Sequence, residues 1–243
     1  PMLVVTSFAT MVVGHFNAQL MTEQQPMKMA AAEALRETTT KAPLSILSVA
    51  PFERNPQEIN TVFEIPRLLS LMATDTLDGE VRGADDIAAE YAARWGGDPD
   101  DYVPWMGVTY WTFRAMIGAG ALMFILGLWA LIKYRRGTLH GRTAVLRLMV
   151  PAAFLPFIAN SAGWIFTEMG RQPWVVFGLL KTQDANSPTV STAMVATTLI
   201  GFTLLYTVLG AIGLKLFLKE AAHGPKEEIP AAEPDKPDLV LAY

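Results

Sequence analysis

The sequence lacks cysteine and is poor in charge. With no cysteine among 243 residues, it cannot form disulfides, thiolate-ligated iron–sulfur clusters or covalent c-type haem attachments. Charged residues make up only 17% of it, whereas soluble domains usually carry about a quarter. No basic face typical of nucleic-acid binding is visible, and the net charge is −4. The shortage of charge directs attention to long uncharged segments.

Three uncharged runs are long enough to cross a membrane. They cover 115–132, 148–167 and 187–214, and a membrane helix needs roughly 20 mostly apolar residues. A fourth run, 1–14, is shorter and follows neither an initiator Met nor a signal-peptide n-region. We therefore expect it to be the end of a helix that starts upstream, in a longer protein.

These runs predict an all-α, polytopic transmembrane helix bundle. Basic residues surround the short loop 134–144 and follow the last helix, so this loop and the tail are expected in the cytoplasm and the long loop outside. The tail is rich in proline and charge and is expected to be disordered. The predicted segments are a partial membrane helix 1–19, a long extracytoplasmic loop 20–104, a membrane helix 105–133, a basic loop 134–144, a membrane helix 145–169, a loop 170–186, a membrane helix 187–218 and a tail 219–243.

The long loop contains strong helix signals. A helix is predicted from Pro26 into the Ala-rich run up to Arg36, because proline is favoured in a first turn and alanine throughout a helix. Two further helices are predicted at 66–73 and 85–94. Loops of this length in compact proteins are usually functional.

Two ionisable residues near the membrane segments are candidates for function. Arg114 lies early in the helix 105–133, where an arginine at the interface beside aromatic residues is an equally good interpretation. Glu168 closes the helix 145–169, where a negative charge opposes the helix dipole and calls for a metal or a cation such as Arg171. Trp164 lies four residues before Glu168, on the same helical face.

Three motifs then carry a resemblance to a known family. The run 163–174 reads Gly-Trp, three residues, Glu, one residue, then Gly-Arg-Gln-Pro-Trp. The run 110–116 reads Tyr-Trp-x-Phe-Arg-x-Met, and 25–33 reads Gln-x-x-Lys-x-Ala-Ala-x-Glu. In this order they resemble subunit I of the cytochrome bd-type quinol oxidases, from its sixth membrane helix onward.

The resemblance implies roles for seven residues. Met116 would be an axial ligand of a low-spin b haem and Glu168 a ligand of a high-spin b haem, with a haem d beside it. Arg114 and Arg171 would pair with haem propionates, and Trp164 would lie near the haems. Lys28 and Glu33 would belong to the quinol site. Spacing alone does not unite Lys28 and Glu33, because five residues turn a helix by about 140°.

The histidines do not supply the family's histidine haem ligands, which the resemblance places upstream of this sequence. His15 ends the first apolar run, His140 lies in the basic loop and His223 lies in the tail. We expect a structural or interfacial role for His15, although imidazole is a common haem ligand.

The resemblance implies oxidation of quinol coupled to reduction of dioxygen to water, with a proton gradient built without pumping. The expected partners are the N-terminal half of the same subunit, a second large membrane subunit and the lipid bilayer of a cell membrane. Small accessory subunits are left open. Two alternatives stay open. One is a b-type cytochrome without oxygen chemistry; the other is a non-redox transporter, for which Pro151 and Pro156 permit a broken helix.

Overall fold

The computed structural model describes residues 1–49, 54–56, 59–139 and 144–224. The chain divides into two compact units, Pro1–Ala185 and Asn186–Tyr243. The described helices are α1 (Met2–Gln24), α2 (Pro26–Glu33), α3 (Leu68–Thr74), α4 (Ala84–Trp95), α5 (Met106–Arg135), α6 (Ala144–Ala152), α7 (Leu155–Gly170) and α8 (Thr192–His223). His140 and residues 225–243 of the predicted tail lie outside the described residues.

Four helical stretches in the described chain are long and apolar enough to cross a membrane. They cover 2–24, 99–135, 144–170 and 192–223. In α5, Lys133 and Arg135 occupy the last turn, where positive charge is favourable against the helix dipole. In α8, the Ser191 hydroxyl accepts a hydrogen bond from the Met194 amide at 3.3 Å and begins the helix as an N-cap.

The segment predicted as one helix over 145–169 consists of two helices. α6 ends at Ala152 and α7 begins at Leu155. Pro151 lies inside α6 and Pro156 in the first turn of α7. Proline has no amide hydrogen and clashes with the preceding turn, so the hydrogen-bond ladder is interrupted here.

The described part of the polar region between α1 and α5 holds the helices α2, α3 and α4, a 3-10 helix at Pro99–Tyr102 and two antiparallel strand pairs. A third pair follows α7. No strand was predicted from the sequence, because the strands are short and their pairing depends on partners elsewhere in the chain. The strands are β1 (Thr39–Thr40), β2 (Leu44–Val49), β3 (Asn60–Ile65), β4 (Glu80–Val81), β5 (Trp174–Val176) and β6 (Leu180–Lys181), paired β1 with β4, β2 with β3 and β5 with β6.

The core of the first unit forms around α2. Its three consecutive alanines, Ala30, Ala31 and Ala32, are at most 1% exposed, and such small side chains let neighbouring helices approach closely. Met27 and Ala31 pack in one apolar cluster with α4 and the start of α5, while Ala32 packs in another with α5 and α7. The helix that carries Lys28 and Glu33 is therefore enclosed by the other elements.

Candidate functional site

Lys28 and Glu33 are both buried but face different helices. Lys28 lies beside α7, with its ammonium 6.0 Å from the centre of the Phe166 ring. Glu33 faces α5, where it contacts Arg114. This agrees with their spacing on a helix, which separates the two side chains in direction.

Gly170 at the end of α7 makes room for Lys28. A β-carbon on Gly170 would lie 2.9 Å from Cγ of Lys28 and 3.2 Å from a methyl group of Thr109. Burial lowers the pKa of Lys28, and the Arg171 charge lowers it further, while the Glu168 charge opposes both effects. A buried ammonium with a lowered pKa is a suitable hydrogen-bond donor to an oxygen atom on the ring of a quinol.

Glu33 and Arg114 form a buried ion pair between the long loop and α5. Nη2 of Arg114 donates to Oε2 of Glu33 at 2.5 Å, and Nη1 donates to Oε1 at 3.3 Å. The side chains are 14% exposed for Arg114 and 3% for Glu33. Burial raises the pKa of Glu33, and the charge and hydrogen bonds of Arg114 limit that rise. The interfacial interpretation of Arg114 is therefore insufficient, because the guanidinium is enclosed and paired.

Met116 lies where α5 packs against α7. A β-carbon on Gly163 would lie 2.8 Å from Sδ of Met116, so a larger residue at 163 would displace the thioether from this position. The rings of Phe113 and Phe166, 4.8 Å apart, pack in the same contact region. The sulfur is thus held in a defined position at the junction of α2, α5 and α7.

Glu168 is compensated by Arg171, as the helix-dipole argument required. Nη2 of Arg171 donates to Oε2 of Glu168 at 2.5 Å, and both side chains are about one-third exposed. The pair uses one carboxylate oxygen, and a carboxylate has a second with which to ligate a metal. Trp164, one turn earlier on α7, is 67% exposed.

Two buried nitrogens test whether these residues suit haem. Nε of Arg114 and Nε of Arg171 are buried and have no hydrogen-bond partner among the described residues. Unpaired buried donors are costly, and a carboxylate such as a haem propionate would satisfy them. Thioether and carboxylate are also known classes of iron ligand. The residues present therefore fit the group that the sequence resemblance implies.

Near this junction, a cavity of about 250 Å³ opens between the long loop and the end of α7. Lys28, Glu168 and Arg171 line it together with four aromatic residues. Glu33 and Met116 are not among its lining residues. The structure thus brings Lys28 of the loop and the charged end of α7 to one cavity.

Sequence reasoning missed the aromatic cluster on this cavity. Its rings lie 4.9–6.3 Å apart, mostly edge to face. Ile87, Tyr91 and Trp95 recur at four-residue spacing on α4, which is the only sequence signal that pointed to a buried aromatic stripe. The cluster consists of Tyr91, Trp95, Tyr102, Trp174 and Phe177.

Tyr110 and His15 each make a tertiary contact. Tyr110 is fully buried instead of lying in an aromatic belt, and its hydroxyl accepts a hydrogen bond from the Ser48 amide at 2.8 Å. It therefore anchors β2 to α5. His15 lies 3.8 Å from the carboxylate of Asp75, a contact between α1 and the end of α3. Within the described ranges, no group of three or more His, Asp or Glu residues forms a metal site.

Comparison with known proteins decides the family. The model of the family described as cytochrome bd terminal oxidase subunit I matches residues 1–225. This chain belongs to that family. The resemblance seen in the three motifs is thereby confirmed. The predictions of an integral membrane protein and of an all-α polytopic fold are confirmed as well.

Several relatives show how much of the subunit is represented. The chain is 37% identical over 215 residues to cytochrome bd ubiquinol oxidase subunit 1 of Bacillus subtilis, covering 88% of this chain and 45% of that protein. It is 29% identical over 270 residues to cytochrome bd-II ubiquinol oxidase subunit 1 of Escherichia coli, covering 89% and 52%. The bd oxidase of Geobacillus thermodenitrificans superposes with a TM-score of 0.72 and 28% identity, covering 91% and 48%. The chain thus spans about half the length of these relatives.

Proposed function

We propose that this chain is the C-terminal half of the haem-carrying subunit of a membrane terminal oxidase that oxidises quinol and reduces dioxygen to water. The observation that carries the proposal is the junction around α2. There, Lys28 and Glu33 of the loop contact the two helices that carry the candidate haem residues. Residues distant in the sequence and expected to serve quinol and haem are neighbours in the fold.

At the quinol site, Lys28 donates a hydrogen bond to a ring oxygen and Glu33 accepts a proton. The raised pKa of Glu33 favours its holding a proton once that proton is received. Arg114 orients the carboxylate through two hydrogen bonds. Glu33 does not line the cavity that Lys28 lines, so a proton from a quinol in that cavity would reach Glu33 through an intervening group.

For haem, Met116 would ligate the iron of a low-spin b haem and Glu168 the iron of a high-spin b haem. Arg114 and Arg171 would pair with propionates through their unpaired Nε atoms, and Trp164 would lie beside the haem pair. When bound, two b haems and a haem d supply the electron transfer and the dioxygen chemistry. The chain itself would supply the iron ligands and the charged partners of the propionates. Its helices α5 and α7 would keep water away from them.

Basic residues at the end of α5 favour a cytoplasmic location for that end, with the long loop outside. Protons from quinol would leave on the loop side and protons for water formation would come from the cytoplasm, which builds a gradient without a pump. The histidine haem ligands would come from the N-terminal half of the subunit. The assembly would also include a second large membrane subunit, and small accessory subunits are left open.

The test is a reduced-minus-oxidised absorption spectrum of the complete purified complex, with quinol-driven oxygen uptake measured on the same sample. Met116→Leu should remove or shift the low-spin b signal, and Glu168→Ala the high-spin b signal. Ile117→Leu is a matched control for Met116, because Ile117 is an exposed neighbour on the same helix.

The outcomes separate the alternatives. Haem bands with quinol oxidation but no oxygen uptake would identify a b-type cytochrome without oxygen chemistry. A complete absence of haem bands would reject the oxidase and favour a transporter. Intact spectra in both variants would leave the family in place and reject the two ligand assignments.

A further inference from the structure

The aromatic wall of the cavity holds hydrogen-bond donors that the protein does not use. The hydroxyl of Tyr91 and Nε1 of Trp174 are buried and have no hydrogen-bond partner among the described residues. Both residues line the cavity, and they are 3% and 6% exposed. A buried donor without a partner is unfavourable, so two at one cavity point to an acceptor that arrives from outside the chain.

Tyr102, on the same wall, is different. Its hydroxyl donates to the Gly96 carbonyl at 2.7 Å and accepts from the Lys181 ammonium at 3.0 Å. It is therefore fully engaged within the protein and stiffens the wall. The contrast shows that the local packing can satisfy a phenol, and that Tyr91 and Trp174 are exceptions to it.

The chemistry of the cavity restricts the ligand. Lys28, Arg171 and Glu168 put charge on one side of the lining, with Arg171 paired to Glu168. The aromatic side offers flat apolar surface and neutral donors. Burial raises the pKa of Tyr91 to about 12, so the phenol remains a donor at neutral pH. A volume of about 250 Å³ is just under the roughly 300 Å³ at which ligand pockets for drug-sized molecules begin. The volume suits one substituted ring, and the donors on both sides suit a ring that carries an oxygen at each end.

We propose that Tyr91 and Trp174 form the second wall of the quinol site and donate hydrogen bonds to the ring oxygen that lies away from Lys28. This inference rests on the proposed quinol oxidation and names two specificity-determining residues for it. Trp174 can only donate, and the carbonyl oxygen of the quinone product accepts two hydrogen bonds, so the wall binds the product at least as well as the quinol.

The experiment uses the complete oxidase and two single variants, Tyr91→Phe and Trp174→Phe. Each variant removes a donor and keeps an aromatic ring. We expect KM for a short-chain ubiquinol, and in parallel a short-chain menaquinol, to rise about three- to tenfold, as loss of one neutral hydrogen bond predicts. The kcat should change little, because the bond forms in both the ground state and the transition state. Inhibition by the matching quinone should weaken by a similar factor.

Trp95→Phe is the matched control. Trp95 belongs to the same aromatic cluster but does not line the cavity, so KM should stay at the wild-type value while any loss of packing appears in the thermal midpoint. The haem difference spectrum should be unchanged in all three variants.

Three results would overturn the inference. Unchanged KM and quinone inhibition in both donor variants would show that the wall does not contact the ring. An equal rise of KM in Trp95→Phe would assign the effect to packing, and altered haem bands in the donor variants would place a haem group at this wall instead. A wild-type complex that oxidises no quinol would reject the proposed function itself, which is a separate result.

Discussion

The molecule contains two arginine–carboxylate pairs that differ in what they connect. Arg114 and Glu33 are 81 residues apart in sequence and join the long loop to a membrane helix in a buried contact. Arg171 and Glu168 are three residues apart at one helix end and are about one-third exposed. The same chemistry therefore holds tertiary structure in the first pair and neutralises a local helix end in the second. Burial decides which pair matters for stability.

The largest effect should come from breaking the buried pair. Arg114→Gln leaves the Glu33 carboxylate buried without compensation, and such a change costs about 3–5 kcal/mol. We expect a large fall in the thermal midpoint of the complex, and a smaller fall in the double variant Arg114→Gln with Glu33→Gln, because the uncompensated charge is then gone. A double variant as unstable as the single one would show that the pair is not buried in the assembled oxidase.

The contact of Met116 with Gly163 allows a test in which the packing of α5 and α7 changes and no charge does. Gly163→Ala places a methyl group 2.8 Å from the sulfur, so the flexible side chain of Met116 must turn, at a cost of about 0.5–1.5 kcal/mol. The low-spin b signal should shift if Met116 ligates iron.

Gly118→Ala on α5 is the control for this substitution. Nothing lies within 4 Å of its new β-carbon in this chain, and alanine is the better helix former. Its spectrum should match wild type, and its thermal midpoint should be equal or higher. A shift of the b signal in Gly118→Ala as large as that in Gly163→Ala would contradict a specific contact.

The pH dependence tests the environment of Glu33. Its pKa is raised by burial, and in the proposed role it must be deprotonated to accept the quinol proton. Activity should therefore fall with acidification at a pH above the ordinary carboxyl value of about 4.3, and Glu33→Gln should lose this acidic limb together with most activity. Glu64→Gln, at an exposed position of β3, should keep the wild-type profile. An unchanged limb in Glu33→Gln would assign it to another group.

The smallest effect on stability should come from the local pair. Arg171→Gln should lower the thermal midpoint by the equivalent of at most about 1 kcal/mol, as exposed ion pairs do. If Arg171 also pairs with a propionate, the midpoint potential of a b haem should move in a redox titration of the same variant. A loss of stability equal to that in Arg114→Gln would remove the distinction between the two pairs.

Some features were predictable because they depend on neighbours in sequence. The long apolar runs predicted a helical membrane bundle, and the Pro26 and Asp85 regions carried helix signals where α2 and α4 lie. The motif 163–174 identified the family. The dipole argument at Glu168 required a nearby cation, and Arg171 is within one turn of the helix.

Other features depend on contacts that no periodicity reveals. The partner of Arg114, the strand pairs of the loop and the burial of Tyr110 each join segments far apart in the chain. The break between α6 and α7 is intermediate, since the prolines permitted it and the packing fixed its position.

The sequence by itself determined composition, helix content, family and the residue types available for haem and quinol chemistry. Those properties follow from local hydrophobicity, helix propensity and motif identity. Only the tertiary structure decided that Glu33 faces Arg114, that Gly163 admits Met116, and that Tyr91 and Trp174 share a cavity with Lys28. The physical reason is that burial and pairing arise when distant segments exclude water together, and the free energy of a charge or a donor depends on that exclusion.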